Sequence, residues 1–216
     1  MRDNEYTPMV ERGCLKKPLM LMTAIVLMFT GLGAGATAGS PGRKVPSPAL
    51  LKQLLEKYQE SRDRLGNRRY VALLDYRQPS WESRFFIIDP VTGQVVAQYV
   101  VAHGRGSDPD HDGYADRFGD KPESHRSTLG FFVTGETYLS ESAGHGLSMR
   151  LEGLSKTNRN AKERDIVIHA NWYVEPGFVA KKSKPGRSYG CLVFSDADRN
   201  AVIEKLKGGA LIYTAY

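Results

Sequence analysis

The sequence predicts a β-rich α+β domain, on three observations. Short β-prone runs follow one another from residue 70 to the end of the chain. Helical patterns are confined to a stretch near residue 50 and another near residue 200. The two kinds of segment neither alternate in the regular order of a parallel βαβ sheet nor form an internal repeat. With 216 residues, 41% of them hydrophobic and 25% charged, the chain can bury a substantial core in one globular domain and is too apolar for general disorder.

The elements follow in order. Residues 39–48 are dense in proline and glycine and read as a linker. The globular domain is then 49–216. Ser47 is a suitable N-cap with Pro48 in the first turn, and Leu50, Leu51, Leu54, Leu55 and Tyr58 fall on one helical face that ends by Gly66. The β-prone runs are 70–74, 84–88, 94–102, 130–133, 147–151, 165–169, 191–194 and 210–213. Asp89-Pro-Val-Thr-Gly93 is a tight-turn sequence, so the second and third runs form a hairpin. A short C-terminal helix fits between the last two runs, capped by Ser195 and stopped by Gly208-Gly209.

The first 38 residues read as a secretory signal. Arg12, Lys16 and Lys17 precede an uncharged run from Pro18 to Gly33, and Ala36-Thr37-Ala38 fits the small-x-small rule, placing cleavage before Gly39. The rival is an uncleaved anchor, since no charge occurs from 18 to 42, although the second half of that span is weakly apolar. Cys14 lies before the apolar run, the wrong side for a lipoprotein cysteine. Cleavage leaves no membrane segment and places the domain in the periplasm or cell envelope. It removes four of 30 basic and three of 24 acidic residues, leaving +5, which suits an anionic polymer or a plain solvated surface alike. An exported chain excludes nucleic acid as a natural partner.

Cleavage also leaves Cys191 as the sole cysteine, in a compartment where cysteines normally pair. It is either a small buried apolar residue or a nucleophile. Its neighbours favour the second. Ile166-Val-Ile-His169 reads as a strand ending in histidine, and Ser188-Tyr-Gly-Cys191 opens another strand nineteen positions on. An imidazole beside a thiol takes its proton, and N–H groups of a glycine turn can hold an oxyanion. On this reading Cys191 is an accessible thiol of low pKa whose reactivity depends on His169.

These residues resemble the signature of the L,D-transpeptidase (YkuD-like) catalytic domains: a histidine, an intervening loop, then Ser/Thr-His-Gly-Cys. The resemblance to a murein L,D-transpeptidase subfamily extends to Asp75-Tyr-Arg-Gln-Pro-Ser80, 99–107, Ser127-Thr-Leu-Gly130, 149–154 and Gly186-Arg-Ser-Tyr-Gly-Cys191, over roughly 70–216. It implies mixed sheets or a barrel, no cofactor, and a cysteine acyl-enzyme formed with a peptidoglycan stem tetrapeptide and passed to an amine. It also implies acylation by carbapenems. Cys191 is then the nucleophile, His169 its base, and the N–H groups of Tyr189, Gly190 and Cys191 the oxyanion donors. Ser188 matches the motif and orients the turn or a substrate amide.

Two positions depart from the pattern: Tyr189 replaces the family histidine, and Val193 an arginine common two residues after the cysteine. Arg187 or Lys184 can compensate as carboxylate holders or be plain loop charges. Tyr138, Asn171 and Trp172 are pocket candidates, with core packing the alternative for the aromatics. His103, His111, His125 and His145 show no metal spacing and are read as non-ligands. Asp108, Asp110, Asp112 and Asp116 with Gly113 mimic a calcium loop, but its closing glutamate is missing, so no metal is assigned. Water as acceptor turns the same site into an L,D-carboxypeptidase or other wall hydrolase. A non-catalytic peptidoglycan-binding domain is the competing class.

Overall fold

A computed structural model describes residues 44–216. The signal segment and its cleavage site lie outside the described residues, as does the linker up to residue 43. What remains of that linker lies against the domain: Pro46 is buried, and Lys44 pairs with Glu82 at 2.9 Å.

The elements are α1 (Pro48–Ser61), β1 (Val71–Asp75), β2 (Ser83–Ile88), β3 (Val95–Val100), β4 (Gly130–Leu139), β5 (Leu147–Gly153), β6 (Val167–Ala170), α2 (Pro176–Lys182), β7 (Leu192–Phe194), α3 (Asp196–Leu206) and β8 (Leu211–Ala215). All strands belong to one sheet in the order β3-β2-β1-β8-β4-β5-β6-β7. Most neighbours are antiparallel, while β1–β8 and β6–β7 are parallel. Beyond β3 the chain swings to the far edge, where Ala102 bridges Val193 through an N–H···O bond of 2.9 Å. The sheet is thereby nearly closed, which covers both edges. The expected β-rich α+β fold with a helix at each end is what forms.

Pleat alternation divides the core. Ala72, Leu74, Phe85, Ile87 and Ile212 point inward with Met149, Ile168, Leu192 and Phe194, and α3 adds Val202, Ile203 and Leu206. The opposite face of β1, β2 and β8 carries Val71, Leu73, Phe86, Ile88 and Leu211, against which α1 packs Leu50, Leu54 and Tyr58. Strand β1 is buried on both faces, so it reads as an unbroken apolar run.

The expected caps and turns form with two differences. Asp89 Oδ1 accepts from the N–H groups of Val91 and Thr92 in the β2–β3 hairpin, and Ser195 Oγ accepts from Asp198 N–H at 3.2 Å. At α1, Ser47 contributes its carbonyl to Leu51 N–H at 2.9 Å but no side-chain cap. That helix ends at Ser61, followed by a 3₁₀ turn, short of Gly66. Between β6 and β7 the chain also forms a 3₁₀ turn at Trp172–Val174 and α2, which hold the segment joining histidine to cysteine.

Candidate active site

Strands β6 and β7 run parallel with His169 opposite Val193. Cys191 lies two residues before Val193, on the same side of the pleat, and packs in one cluster with it. His169 and Cys191 are therefore diagonal neighbours on one face, as the strand-end reading expected. His169 is 3% exposed, while Cys191 is half-buried and free.

The imidazole is oriented by its own strand. Nδ1 lies 2.8 Å from the Ala170 carbonyl, which can only accept, so Nδ1 carries the hydrogen and Nε2 the lone pair. Burial pulls His169 down to about 4, assisted by the neighbouring His145 and Arg199 and opposed by the Ala170 bond. The ring is neutral at physiological pH. Burial pushes the Cys191 thiol up to about 11, although the residue keeps part of its surface exposed, and Sγ donates to the Asp165 carbonyl at 3.4 Å. The expectation of a low-pKa thiol is thus not met. The resting pair is a neutral thiol and a neutral imidazole, with no hydrogen bond joining them among the described residues; burial disfavours the charged form of each.

The Ser188–Cys191 turn is clamped from two sides. Ser188 is buried, and its hydroxyl donates to the Cys191 carbonyl at 2.8 Å while accepting from Gly190 N–H at 3.1 Å. Ser188 N–H donates to the His103 carbonyl, and Arg105 N–H to the Ser188 carbonyl, each at 2.8 Å. Ser188 thus orients the turn, and the Gly190 N–H already has a partner in this state. Gly190 has φ +121, and a Cβ there would lie 2.8 Å from the Arg126 carbonyl oxygen, so only glycine fits.

Beneath the turn runs a buried chain from Arg84 through His103 to Asp108. Arg84 Nη2 donates to His103 Nδ1 at 3.0 Å, which leaves the hydrogen on Nε2, donated to Asp108 at 2.9 Å. Burial pulls His103 down to about 4, so it is a neutral link between two charges. Burial opposes ionisation of Asp108, but hydrogen bonds from His103, Gly113 and Asp112 hold its carboxyl well below the usual range.

Arg187 and Lys184 both bond to this acidic loop: Arg187 Nη1 donates to the Asp108 carbonyl and Lys184 Nζ to the His111 carbonyl. Asp108, Asp110 and Asp112 bring carboxylate oxygens within 4.8 Å of one another, yet Asp108 is engaged by the chain's own donors. The residue two after the cysteine, Val193, is buried in the core.

Tyr189 is 62% exposed, with the Arg105 guanidinium 4.4 Å from its ring centroid and the His125 ring at 4.5 Å. It lines a cleft of about 550 Å³ with Pro122, Glu123, His125, Glu163, Arg164 and Asp165. Cys191 and His169 do not line this cleft themselves; Asp165 links it to the thiol, since its carbonyl is the one that Sγ contacts. Tyr138 connects to this rim indirectly: Arg150 stacks over its ring at 4.6 Å and pairs with Asp165 at 3.6 Å. Trp172 is exposed and packs edge-on to Tyr173 and Phe178. Asn171 Oδ1 is buried without a partner among the described residues.

Sequence reasoning missed His145. Its ring stacks on His169 with centroids 3.7 Å apart and planes 23° apart. The flanking Gly144 and Gly146 were the one local sign of a special turn. It also missed Arg105 and His125, which meet Tyr189 from separate loops.

The pattern of the L,D-transpeptidase catalytic domain matches residues 43–215. A comparison with curated proteins finds no match. Among solved structures, an L,D-transpeptidase from Mycobacterium smegmatis is 13% identical, with a TM-score of 0.41 over 68% of this chain and 59% of that chain. L,D-transpeptidase 1 of Mycobacterium tuberculosis is 10% identical, with a TM-score of 0.39 over 67% and 60%. The helical cell shape determining protein Pgp2 of Campylobacter jejuni is 12% identical, with a TM-score of 0.40 over 79% and 56%. This chain spans less than two thirds of each of those chains. The distant structural likenesses carry no part of the assignment, whereas the family pattern spans most of the residues, including both strands that bear His169 and Cys191: the chain belongs to the L,D-transpeptidase catalytic domain family.

Proposed function

We propose that the protein is a peptidoglycan L,D-transpeptidase. The observation that supports this most directly is that His169 and Cys191 share one face of the β6–β7 pair, with Asp165 and Tyr189 linking the thiol's turn to a polar cleft. In the reaction, the thiol leaves the Asp165 carbonyl and gives its proton to His169 Nε2 as sulfur attacks the carbonyl of the third residue of a stem tetrapeptide. The Cys191 and Tyr189 N–H groups are the donors assigned to the developing oxyanion, with that of Gly190 available if Ser188 turns away. The imidazolium then protonates the departing terminal D-alanine. An amine attacks the thioester, returns the thiol and completes the transfer.

The neutral resting pair suits this sequence. Proton transfer waits until a substrate carbonyl is in place, which keeps an exported thiol from gratuitous oxidation. Tyr189, with Arg105 above it, offers a flat wall for the stem peptide, and Trp172 a second exposed ring. Carboxylates of Glu123, Glu163 and Asp165 on the cleft rim suit a cationic amine better than they suit a carboxylate. Arg187 supports the acidic loop, so Arg105 is the better candidate to hold a substrate carboxylate.

We further propose that residues 1–38 direct export and that the enzyme works in the periplasm or envelope; among the described residues no helix is long and apolar enough to cross a membrane. Incubation with purified muropeptides, followed by mass analysis of the products, tests the activity. Loss of D-alanine with a new cross-link or exchanged residue is expected. Loss of D-alanine alone means the carboxypeptidase reaction, and unchanged muropeptides that still bind mean a wall-binding domain.

A further inference from the structure

We infer that His145 is a positioning residue for the reaction proposed above: its ring clamps the face of His169 and must itself be uncharged for His169 to take the thiol proton. The inference rests on His169 being the base. The geometry comes from a turn built to present that ring. His145 lies between β4 and β5, its N–H donates to the Ser142 carbonyl at 3.1 Å, and Ser140 N–H donates to the Gly146 carbonyl at 3.0 Å. Gly144 and Gly146 adopt φ +79 and +60, and a Cβ at Gly146 would press on Arg199 Nη1 at 3.1 Å. The His145 carbonyl accepts from Arg199 Nη1 at 2.7 Å and from Ala170 N–H at 3.4 Å, next to the base itself. Arg199 is buried on α3 and also donates to the Leu147 carbonyl, while Asp196 and Asn200 hold its remaining nitrogens.

His169 is thus held by two constraints at right angles. The Nδ1 bond to the Ala170 carbonyl sets its rotation in the plane, and the stacked His145 ring sets its tilt. Only the Nε2 edge is left for the thiol.

The charges around the two rings are few. Arg199 from α3, the Ala170 carbonyl at His169 Nδ1, and the Ser140 hydroxyl, which reaches His145 Nδ1 at 3.5 Å, are the groups that the rings meet. No carboxylate bonds either ring among the described residues. Two imidazolium rings at 3.7 Å beside a buried guanidinium repel strongly. One imidazolium against a neutral aromatic face is attractive. His145 is the more exposed of the pair, so it takes up a proton from acidic solvent first and prevents His169 from accepting one.

The test measures the rate of covalent adduct formation with imipenem by intact-mass spectrometry from pH 5 to pH 8, for wild type, His145→Phe, His145→Ala and His169→Ala. The expected result is a wild-type rate that falls on the acid side, a fall of tenfold or more at pH 7.5 in His145→Ala, and recovery of most of that loss in His145→Phe, whose acid limb is displaced to lower pH or abolished. An unchanged acid limb in His145→Phe, or a wild-type rate in His145→Ala, overturns the inference while leaving the catalytic reading intact. Equal rates in wild type and His169→Ala, or no adduct in either, overturn that reading and this role with it. If His145→Ala does not fold, histidine ring titration by NMR decides: the His169 midpoint rises in His145→Phe if the two rings compete for one proton, and stays in place if they do not.

Discussion

Asp108→Asn is the substitution that most sharply probes how the reactive turn is supported. Arg84, His103 and Asp108 are all essentially unexposed, and the carboxylate supplies the negative end of the chain. Burial pulls the Arg84 guanidinium down to about 10, so it remains charged at pH 7. In the variant the amide oxygen can still accept from His103 and Gly113, but its NH₂ then meets the Asp112 N–H, donor against donor. Arg84 loses its counter-charge through His103. Breaking a buried pair costs about 3–5 kcal/mol, and the lower end applies because the Gln78 and Val101 carbonyls and the Tyr76 ring still hold the guanidinium. About 3 kcal/mol lowers Tm by roughly 6–12 °C in a domain of this size.

The pH dependence carries a sign. His103 and His169 stay neutral in the fold down to about 4, so wild type keeps their contribution above about 6.5 and loses it as pH falls through that window. Asp108 has a depressed folded pKa, so its share is present above about 3.9 and lost below that value. Calorimetry on both proteins should therefore show a gap that holds from pH 8 to pH 5 and closes in stronger acid. A Tm drop below about 2 °C, or a gap that widens below pH 4, refutes the reasoning.

The remaining predictions are simpler. Gly190→Ala should cost about 2 kcal/mol or more and suppress adduct formation, since φ +121 and the Arg126 carbonyl leave no space for a methyl group; thermal melts and adduct rates check both. Calcium or a chelator should leave Tm unchanged within about 1 °C, because the closing glutamate is missing and His103 and main-chain N–H groups already engage the Asp108 carboxylate; a large chelator-sensitive shift in calorimetry contradicts this. Protein recovered from the envelope should begin at Gly39 by N-terminal sequencing, whereas an intact N-terminus on membrane-bound protein favours the anchor.

The fold was legible where local chemistry is strong. The Asp89 turn, the Ser195 cap and the apolar runs of β1, β2 and β8 carry their structure in neighbouring residues. Strand β4 extends to Leu139, past the run ending at Val133, because its far half is exposed and polar and is held by pairing with β5. Helix α2 was missed because its seven residues have no buried face and follow Pro176. In the site, the neighbouring strand ends that carry His169 and Cys191 were readable because β6 and β7 are apolar runs that pair in parallel. Arg105, His125 and His145 were not, since their partners lie on other loops and no spacing rule links them. The thiol's protonation was read in the wrong direction because burial depends on the packing around β6 and β7, which motif residues do not encode.

The central claim is that Cys191 is the nucleophile and His169 its base, and intact-mass spectrometry after incubation with a tetrapeptide muropeptide tests it most directly. Wild type should show a thioester adduct with release of D-alanine, Cys191→Ala none, and His169→Ala an adduct slowed by orders of magnitude with its melting curve intact. A folded wild-type protein that binds the muropeptide yet forms no adduct, or an adduct whose rate is the same in His169→Ala, contradicts the account.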